Sequence, residues 1–369
     1  MPSKYLKPRR RNSSSKRNKL SSPLFSICIP QYNRTSFLLK CLESLKSQTF
    51  QDFEVCISDG GSTDGRSQEI VDFLSTEKFS FSFQPHEENL PYDSNLRSSI
   101  GLARGRFCLL LGNDDMLCHS GALGTIATEL EAQNFPEVVI TNYRELRTGS
   151  TFRRIRQTRI VGSGPHVAAE NFRNFSFVSG ILLDRVLAQK HATNKWDGSE
   201  MYQMFIGSRI IAEGGRLLGI NEVLVLKDIQ IPGETIDSYA SRPVIRGCPI
   251  QERQLPLSKY GRVAFEAIAP FLNPLEKPQV LRRIFMQMLI FTYPPWLIEY
   301  RRIQSLRYAL GIALGMRPRN ILADLRTDLS TRSWVRVLHL LASTTGLLVP
   351  RTLYERLKPG LYAFAKWTR

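Results

Sequence analysis

The chain has 369 residues, 42% of them hydrophobic, and a formal net charge of +17. That length allows one large domain with a real core plus a smaller companion, and that apolar content excludes a wholly disordered chain. The six cysteines form no CxxC pair, which argues against zinc and disulfides, and the longest apolar runs, near 285–298 and 338–350, fall short of the roughly 18 residues a membrane span needs.

The charge is unevenly spread. Residues 1–20 carry eight Lys or Arg and no acid, and residues 241–369 carry 21 basic and 7 acidic residues, which leaves −5 for residues 21–240. Acidic chemistry therefore belongs to the middle, between two cationic ends. Residues 1–22 are rich in Lys, Arg, Ser and Asn and read as a disordered tail. They lack an apolar core of their own, so no secretory signal is expected.

From residue 25 strands and helices alternate. Residues 25–30 read as a strand, 36–48 as a helix, 53–58 as a second strand and 64–75 as a helix with Thr63 or Asp64 near its N-cap. A third strand is expected at 79–84, a helix at 94–103, a fourth strand at 107–111, a helix at 120–133 and a fifth strand at 138–142. Such βα repetition predicts a mostly parallel sheet covered on both faces. Cys28, Cys56 and Cys108 fall inside these strands, as small buried residues of a reducing compartment would. Residues 143–175 read as irregular and Arg-rich, 176–183 as a strand, 200–212 as a helix ended by Gly214-Gly215, and 218–226 as a last strand. Beyond about 240 the chain becomes Pro-punctuated, Arg-rich helical pieces.

Residues 106–115 carry the most information: Arg-Phe-Cys-Leu-Leu-Leu-Gly-Asn-Asp-Asp. An apolar run of buried-strand length ends in two adjacent carboxylates. Ligands of open α/β sheets bind at the carboxyl ends of strands. Two hard oxygen ligands there suit Mg²⁺ or Mn²⁺ on a diphosphate; the plainer alternative is a helix cap beside a surface charge. The first strand ends in Pro30-Gln31-Tyr32-Asn33-Arg34, an aromatic face and a guanidinium for a nucleotide, or simply a turn into a helix. The second ends in Asp59-Gly60-Gly61-Ser62-Thr63-Asp64-Gly65, where Asp59 can accept from a base or ribose. This is not the GxGxxG dinucleotide fingerprint.

In this order and spacing the three segments resemble the family 2 glycosyltransferases of the GT-A fold. Ser47-Gln48-Thr49-Phe50 and the stretch from Asn95 to Gly105 resemble further segments of that family. The likeness covers residues 24–215. It implies an α/β GT-A domain, a Rossmann-like mixed sheet, over 23–240, followed by a helical, basic C-terminal region over 241–369. It implies a nucleotide-sugar site at Pro30, Tyr32, Arg34, Asp59, Asn113 and Asp114, and a Mg²⁺ or Mn²⁺ site at Asp114 with Asp115. The family often has an acid where this chain has Gly112. The family's catalytic base sits in an acidic pair opening a late helix. Here Glu200 is similar in position, with Ser199 replacing its neighbour and Asp197 the competitor. Ser179-Gly180 resembles the family's turn beside donor and acceptor, or is a bulge at a strand glycine. The implied activity is metal-dependent, inverting transfer of a sugar to a glycan or lipid-linked acceptor in cell-surface polysaccharide synthesis. A catalytically silent nucleotide-sugar-binding protein of the same fold is the alternative.

The C-terminal region mixes aromatics with Arg, as in Arg282, Arg283, Phe285, Trp296, Tyr300 and Arg301. It reads either as a membrane-interfacial element with an anionic surface as partner, or as a helical subdomain packed on the first domain. The membrane reading places the protein in the cytoplasm, on the inner face of the plasma membrane. No nucleic-acid reader motif is present.

Overall fold

The computed structural model describes residues 22–234, 256–357 and 360. The tail before residue 22, the expected domain boundary at 240 and Cys248 lie outside the described residues. In chain order the first half runs β1 (Phe25–Gln31), α1 (Thr35–Lys46), β2 (Phe53–Asp59), α2 (Ser67–Thr76), β3 (Ser80–Pro85), α3 (Tyr92–Gly101) and β4 (Phe107–Leu110). It continues through β5 (Met116–Leu117), α4 (Ala122–Ala132), β6 (Val138–Glu145), β7 (Thr151–Phe152), β8 (Arg159–Gly162) and α5 (Pro165–Asn171). Then come β9 (Ile181–Asp184), α6 (Arg185–Lys190), α7 (Tyr202–Glu213) and β10 (Leu217–Lys227). The C-terminal helices are α8 (Tyr260–Ile268), α9 (Lys277–Gln287), α10 (Tyr293–Ile303), α11 (Leu306–Gly315), α12 (Pro318–Ile321) and α13 (Leu329–Leu348).

The strands form one mixed sheet in the order β3-β2-β1-β4-β9-β6-β10-β5, with β7 and β8 attached to β6 and β10. β1, β2, β3 and β4 pair in parallel, and β9 runs antiparallel between β4 and β6. The two-residue period of the strands sorts their side chains into two cores. Ile27, Ile29, Val55, Ile57 and Leu109 share one with Leu38 and Leu42 of α1 and Ile126 of α4. Cys28, Cys56, Cys108 and Leu110 share the other with Leu96, Ile100, Ile206 and Ile210. The strand cysteines are free and buried. Burial pushes the Cys28 and Cys56 thiols well above the usual range, which suits packing and not reactivity.

That second core does not stop at the first domain. It runs on through Tyr260, Ile284, Phe285, Tyr293, Leu297, Ile312 and Val335. The C-terminal helices are thus packed on the α/β domain, as one of the two sequence readings has it. Among the described residues no helix is long and apolar enough to cross a membrane.

Several elements differ from the sequence reading. Residues 143–175, read as irregular, hold the end of β6, the two short strands β7 and β8, and α5. Residues 176–180 are not strand, because Gly180 takes φ +78° and turns the chain before β9. Asp64 does not cap α2. The N-cap is Arg66, whose N–H donates to Asp64 Oδ1 at 3.2 Å, while Asp64 Oδ2 accepts from Thr35 Oγ1 at 2.7 Å, so Asp64 joins the starts of α1 and α2.

One buried carboxylate joins three elements beneath the site. Glu54 of β2 is fully buried, and its Oε1 accepts from Ser26 Oγ of β1 at 2.7 Å and from the Arg104 and Gly105 N–H at 2.7 and 3.1 Å. Oε2 accepts from Arg104 Nε and Nη2 at 2.9 and 2.7 Å. Glu54→Gln puts an amide N–H₂ against donors at a fully buried position. We expect a loss of about 2 kcal/mol in urea unfolding; a loss within about 0.5 kcal/mol, the range of neutral surface changes, contradicts this role.

Candidate active site

A cleft of about 1090 Å³ opens over the carboxyl ends of β1 and β4, walled on its far side by α10. Sheets of this kind present their ligand sites at this edge, where loops can carry function without disturbing the core. Pro30, Tyr32, Arg34, Asn113, Asp114, Glu200 and Met201 line it. Trp296, Tyr300, Arg302 and Arg351 of the C-terminal helices close the wall.

The β1 tip is shaped by Asn33, which takes φ +40°. Its N–H donates to Ser62 Oγ at 2.8 Å, and its Oδ1 accepts from the Thr63 N–H at 2.6 Å. The first two strand tips are thereby stitched together, and the turn throws Tyr32, 39% exposed, into the cleft. Behind it Gln31 Oε1 accepts from Asn113 Nδ2 at 2.7 Å, and the Gln31 carbonyl accepts from Asn95 Nδ2 at 2.7 Å. Asn113 is held by the neighbouring strand tip while lining the cleft.

Asp59 is placed differently from the expectation. It is 1% exposed and does not line the cleft. Its Oδ1 accepts from the Ser62 N–H at 3.0 Å and from Ser62 Oγ at 2.6 Å, and its Oδ2 from Ser67 Oγ at 3.3 Å. It closes its own loop, as Asx turns do.

Asp114 and Asp115, neighbours in sequence, do separate jobs. Asp114 lines the cleft and is ion-paired with Arg34 Nη1. Asp115 is 2% exposed; it accepts from Ser179 Oγ and, at 3.0 Å, from the Asp228 N–H. Ser179 Oγ in turn accepts from the Gly112 N–H at 2.8 Å. Burial and the charge of Asp114 push the Asp115 carboxyl well above the usual range. Gly112 has a spatial reason. A Cβ there would sit 2.8 Å from Asp115 Oδ2 and 3.1 Å from Asp114 Oδ1. The Ser179-Gly180 turn is pinned by Arg154, whose guanidinium donates to the Ser179 carbonyl at 2.8 Å and to the Phe177 carbonyl. Burial pushes Arg154 down to about 10. Nothing local in residues 143–175 marks it for this work.

The two base candidates also part. Asp197 does not line the cleft. Arg97 Nη1 and Nη2 donate to it at 2.5 and 2.8 Å, and Ser94 Oγ at 2.7 Å. Burial opposes its ionisation, but these bonds outweigh burial and hold it below the usual carboxylate range. Glu200 lines the cleft and lies just before α7, at φ +59°, a left-handed conformation costly for a residue with a Cβ. Asp93, at the start of α3, holds it there. Asp93 is fully buried; its Oδ2 accepts from the Ser199 and Glu200 N–H at 2.9 and 2.8 Å, and its Oδ1 from the Tyr202 N–H at 3.0 Å. Burial raises its carboxyl above the usual value despite these bonds. Ser199 is buried and its Oγ accepts from the Met201 N–H at 3.1 Å, so it too serves the loop.

Residues 26–189 match the family model of Glycosyl transferase family 2. Abequosyltransferase RfbV of Salmonella typhimurium is 38% identical over 112 residues, which are 30% of this chain and 33% of that protein. A PGL/p-HBAD biosynthesis glycosyltransferase of Mycobacterium tuberculosis is 33% identical over 108 residues, 29% of this chain and 42% of that protein. The matched stretches thus span between a third and about two fifths of these relatives. In three dimensions the chain resembles S. aureus TarS 1-349, crystallised in complex with UDP-GlcNAc, with a TM-score of 0.57 at 17% identity over 91% of this chain and 92% of that one. The fold is GT-A with a helical C-terminal region.

Asp93→Asn leaves one oxygen where two accept three N–H groups. Amide exchange at Ser199, Glu200 and Tyr202 is expected to quicken at least about tenfold, the equivalent of ~1.4 kcal/mol, while the β1 and β4 amides stay protected. Unchanged exchange at these three amides contradicts the clamp.

Proposed function

We propose, from a chain whose residues 26–189 match the model of Glycosyl transferase family 2, that the protein transfers a sugar from a nucleotide-sugar donor to an acceptor hydroxyl. The observation that carries this reading is that Asp114 and Glu200 line the same cleft. Pro30, Tyr32, Arg34 and Asn113 flank Asp114 there and supply an aromatic face and a guanidinium for the nucleotide and its diphosphate.

Among the described residues no group of three or more His, Cys, Asp or Glu is placed to hold a metal. Asp114 and Asp115 both line the cleft, but Asp115 is buried and engaged by Ser179 and Asp228, which leaves Asp114 as the more available carboxylate at the β4 tip. One carboxylate suits Mg²⁺ or Mn²⁺ that keeps its waters and shares a diphosphate, and not an ion caged by protein. The Arg34 guanidinium on Asp114 already marks that point as one for positive charge. Asp114 is the residue that would hold the ion, and when bound the ion would offset charge on the departing diphosphate.

The chain's own residues do the rest. Arg34 sits at the diphosphate end. Glu200 takes the proton from the acceptor hydroxyl as that oxygen forms its bond to the anomeric carbon. The bond from that carbon to the nucleoside diphosphate breaks, and its electrons leave with the diphosphate. Attack from the side opposite the leaving group inverts the anomeric centre. The acceptor is a glycan or lipid-linked intermediate of cell-surface polysaccharide synthesis, met at the cytoplasmic side of the plasma membrane. RfbV, named an abequosyltransferase, and the mycobacterial protein, named a biosynthesis glycosyltransferase, support the sugar-transfer reading.

A second reading, a silent nucleotide-sugar-binding protein, draws on Gly112 and Ser199 standing where the family favours acids. Their structural reasons, room beside Asp115 and a buried hydrogen bond in the Glu200 loop, weaken it. Donor hydrolysis by the purified chain with Mn²⁺ separates the two.

A panel of nucleotide sugars with Mn²⁺, read by thermal shift, is expected to yield one donor that raises Tm, since a ligand at 100 times its Kd adds ~2.7 kcal/mol to stability. Asp114→Ala is expected to lose the Mn²⁺-dependent part of that shift and to cut transfer by about 10²–10³; a full shift and full turnover refute its role. Glu200→Gln is expected to keep the shift and to slow turnover by about 10²–10⁴. Wild-type turnover by that variant places the base elsewhere.

A further inference from the structure

Large apolar side chains left in water are normal when scattered and informative when gathered. Of the fifteen exposed large hydrophobic side chains among the described residues, ten fall within residues 306–357. Leu306, Leu310 and Leu314 recur every fourth residue and form one face of α11. On α13, Val335, His339, Ala342 and Gly346 face inward, while Val337, Leu340, Leu341 and Leu348 keep between 60% and 70% of their surface exposed. Both helices flank α10 and touch one another. The same 52 residues carry eight arginines and three acids. Arg332 and Arg336 are exposed one turn apart on α13, before the leucines. The face also adjoins the site. Leu348 ends α13, and Arg351, three residues on, lines the cleft beside Arg302 and Glu299.

We propose that the leucine faces of α11 and α13, with their flanking arginines, seat the protein on a lipid bilayer bearing anionic headgroups, so that the cleft opens beside the membrane surface. Charge complementarity selects this occupant: leucines enter the acyl boundary while guanidiniums meet lipid phosphates. A second copy of the chain would set arginines against arginines. The inference rests on the proposed function only for its purpose, delivery of a lipid-linked acceptor; the binding itself is measured without donor.

The full chain is sedimented with vesicles of phosphatidylcholine alone or mixed with phosphatidylglycerol. Wild type is expected in the pellet with the anionic vesicles, and raised salt is expected to release part of it. Leu340→Glu with Leu341→Glu is expected to lower partition at least about tenfold. Arg332→Glu with Arg336→Glu is expected to lower it on anionic vesicles only. The thermal shift with donor should be intact in both. Wild type that stays in the supernatant, or variants that bind like wild type, overturns the proposal. So does a wild-type dimer in sedimentation velocity that the leucine variant dissociates while neither binds vesicles, since the face then belongs to a second copy. If the leucine variant fails to fold, the arginine variant decides: unchanged partition overturns the proposal. Vesicle binding by a protein that shifts with no donor leaves this inference standing and rejects the transferase reading.

Discussion

A carboxylate taken out of water needs donors for its oxygens, and around the cleft this protein meets that need at Asp93 and Asp115. Asp93 draws in the N–H groups of Ser199, Glu200 and Tyr202. Asp115 draws in the Asp228 N–H and the Ser179 hydroxyl. Each buried acid thereby fixes a loop that presents another acid to the cleft, Glu200 in one case and Asp114 in the other. The left-handed backbone of Glu200 persists because the surrounding structure over-determines it, the bond from its N–H to Asp93 included. Preorganisation of this kind lets a charge sit where chemistry wants it and not where folding alone would leave it.

The sheet does the remaining positioning. Parallel β1, β2 and β4 bring their tips to one edge, so segments some 80 residues apart meet there, as Arg34 and Asp114 do. The C-terminal helices complete the enclosure. Their core is continuous with the Cys28 face of the sheet, and α10 turns Trp296 and Tyr300 toward the cleft. The region that looked from composition like a separate cationic extension is, in its packing, a wall of the site. Its outer side remains apolar and basic.

What the sequence revealed was local. An apolar run ending in Asp114, a Pro-x-Tyr-Asn-Arg tip and strands with a two-residue period are patterns within a few residues, and each is found where the pattern put it. Asp59 misled because the same Asp-Gly-Gly-Ser stretch that looks open to a ligand also suits an Asx turn closing on Ser62. Position favoured Glu200 over its competitor Asp197 but did not decide between them. Their difference lies in Arg97, 100 residues from Asp197. Asp93 and Arg154 left no trace, since a lone acid before a helix and one arginine among many carry no period or spacing. Asp115 sits beside Asp114, yet its partners are Ser179 and Asp228, fixed only by the antiparallel insertion of β9 and the end of β10.

A crystal structure with Mn²⁺ and a nucleoside diphosphate tests the central claim most directly. The account predicts the diphosphate at the Arg34 end of the cleft, the ion on Asp114, Asp115 still engaged by Ser179 and Asp228, and Glu200 facing the same space. A nucleotide bound away from this cleft, or an ion held without Asp114, contradicts it.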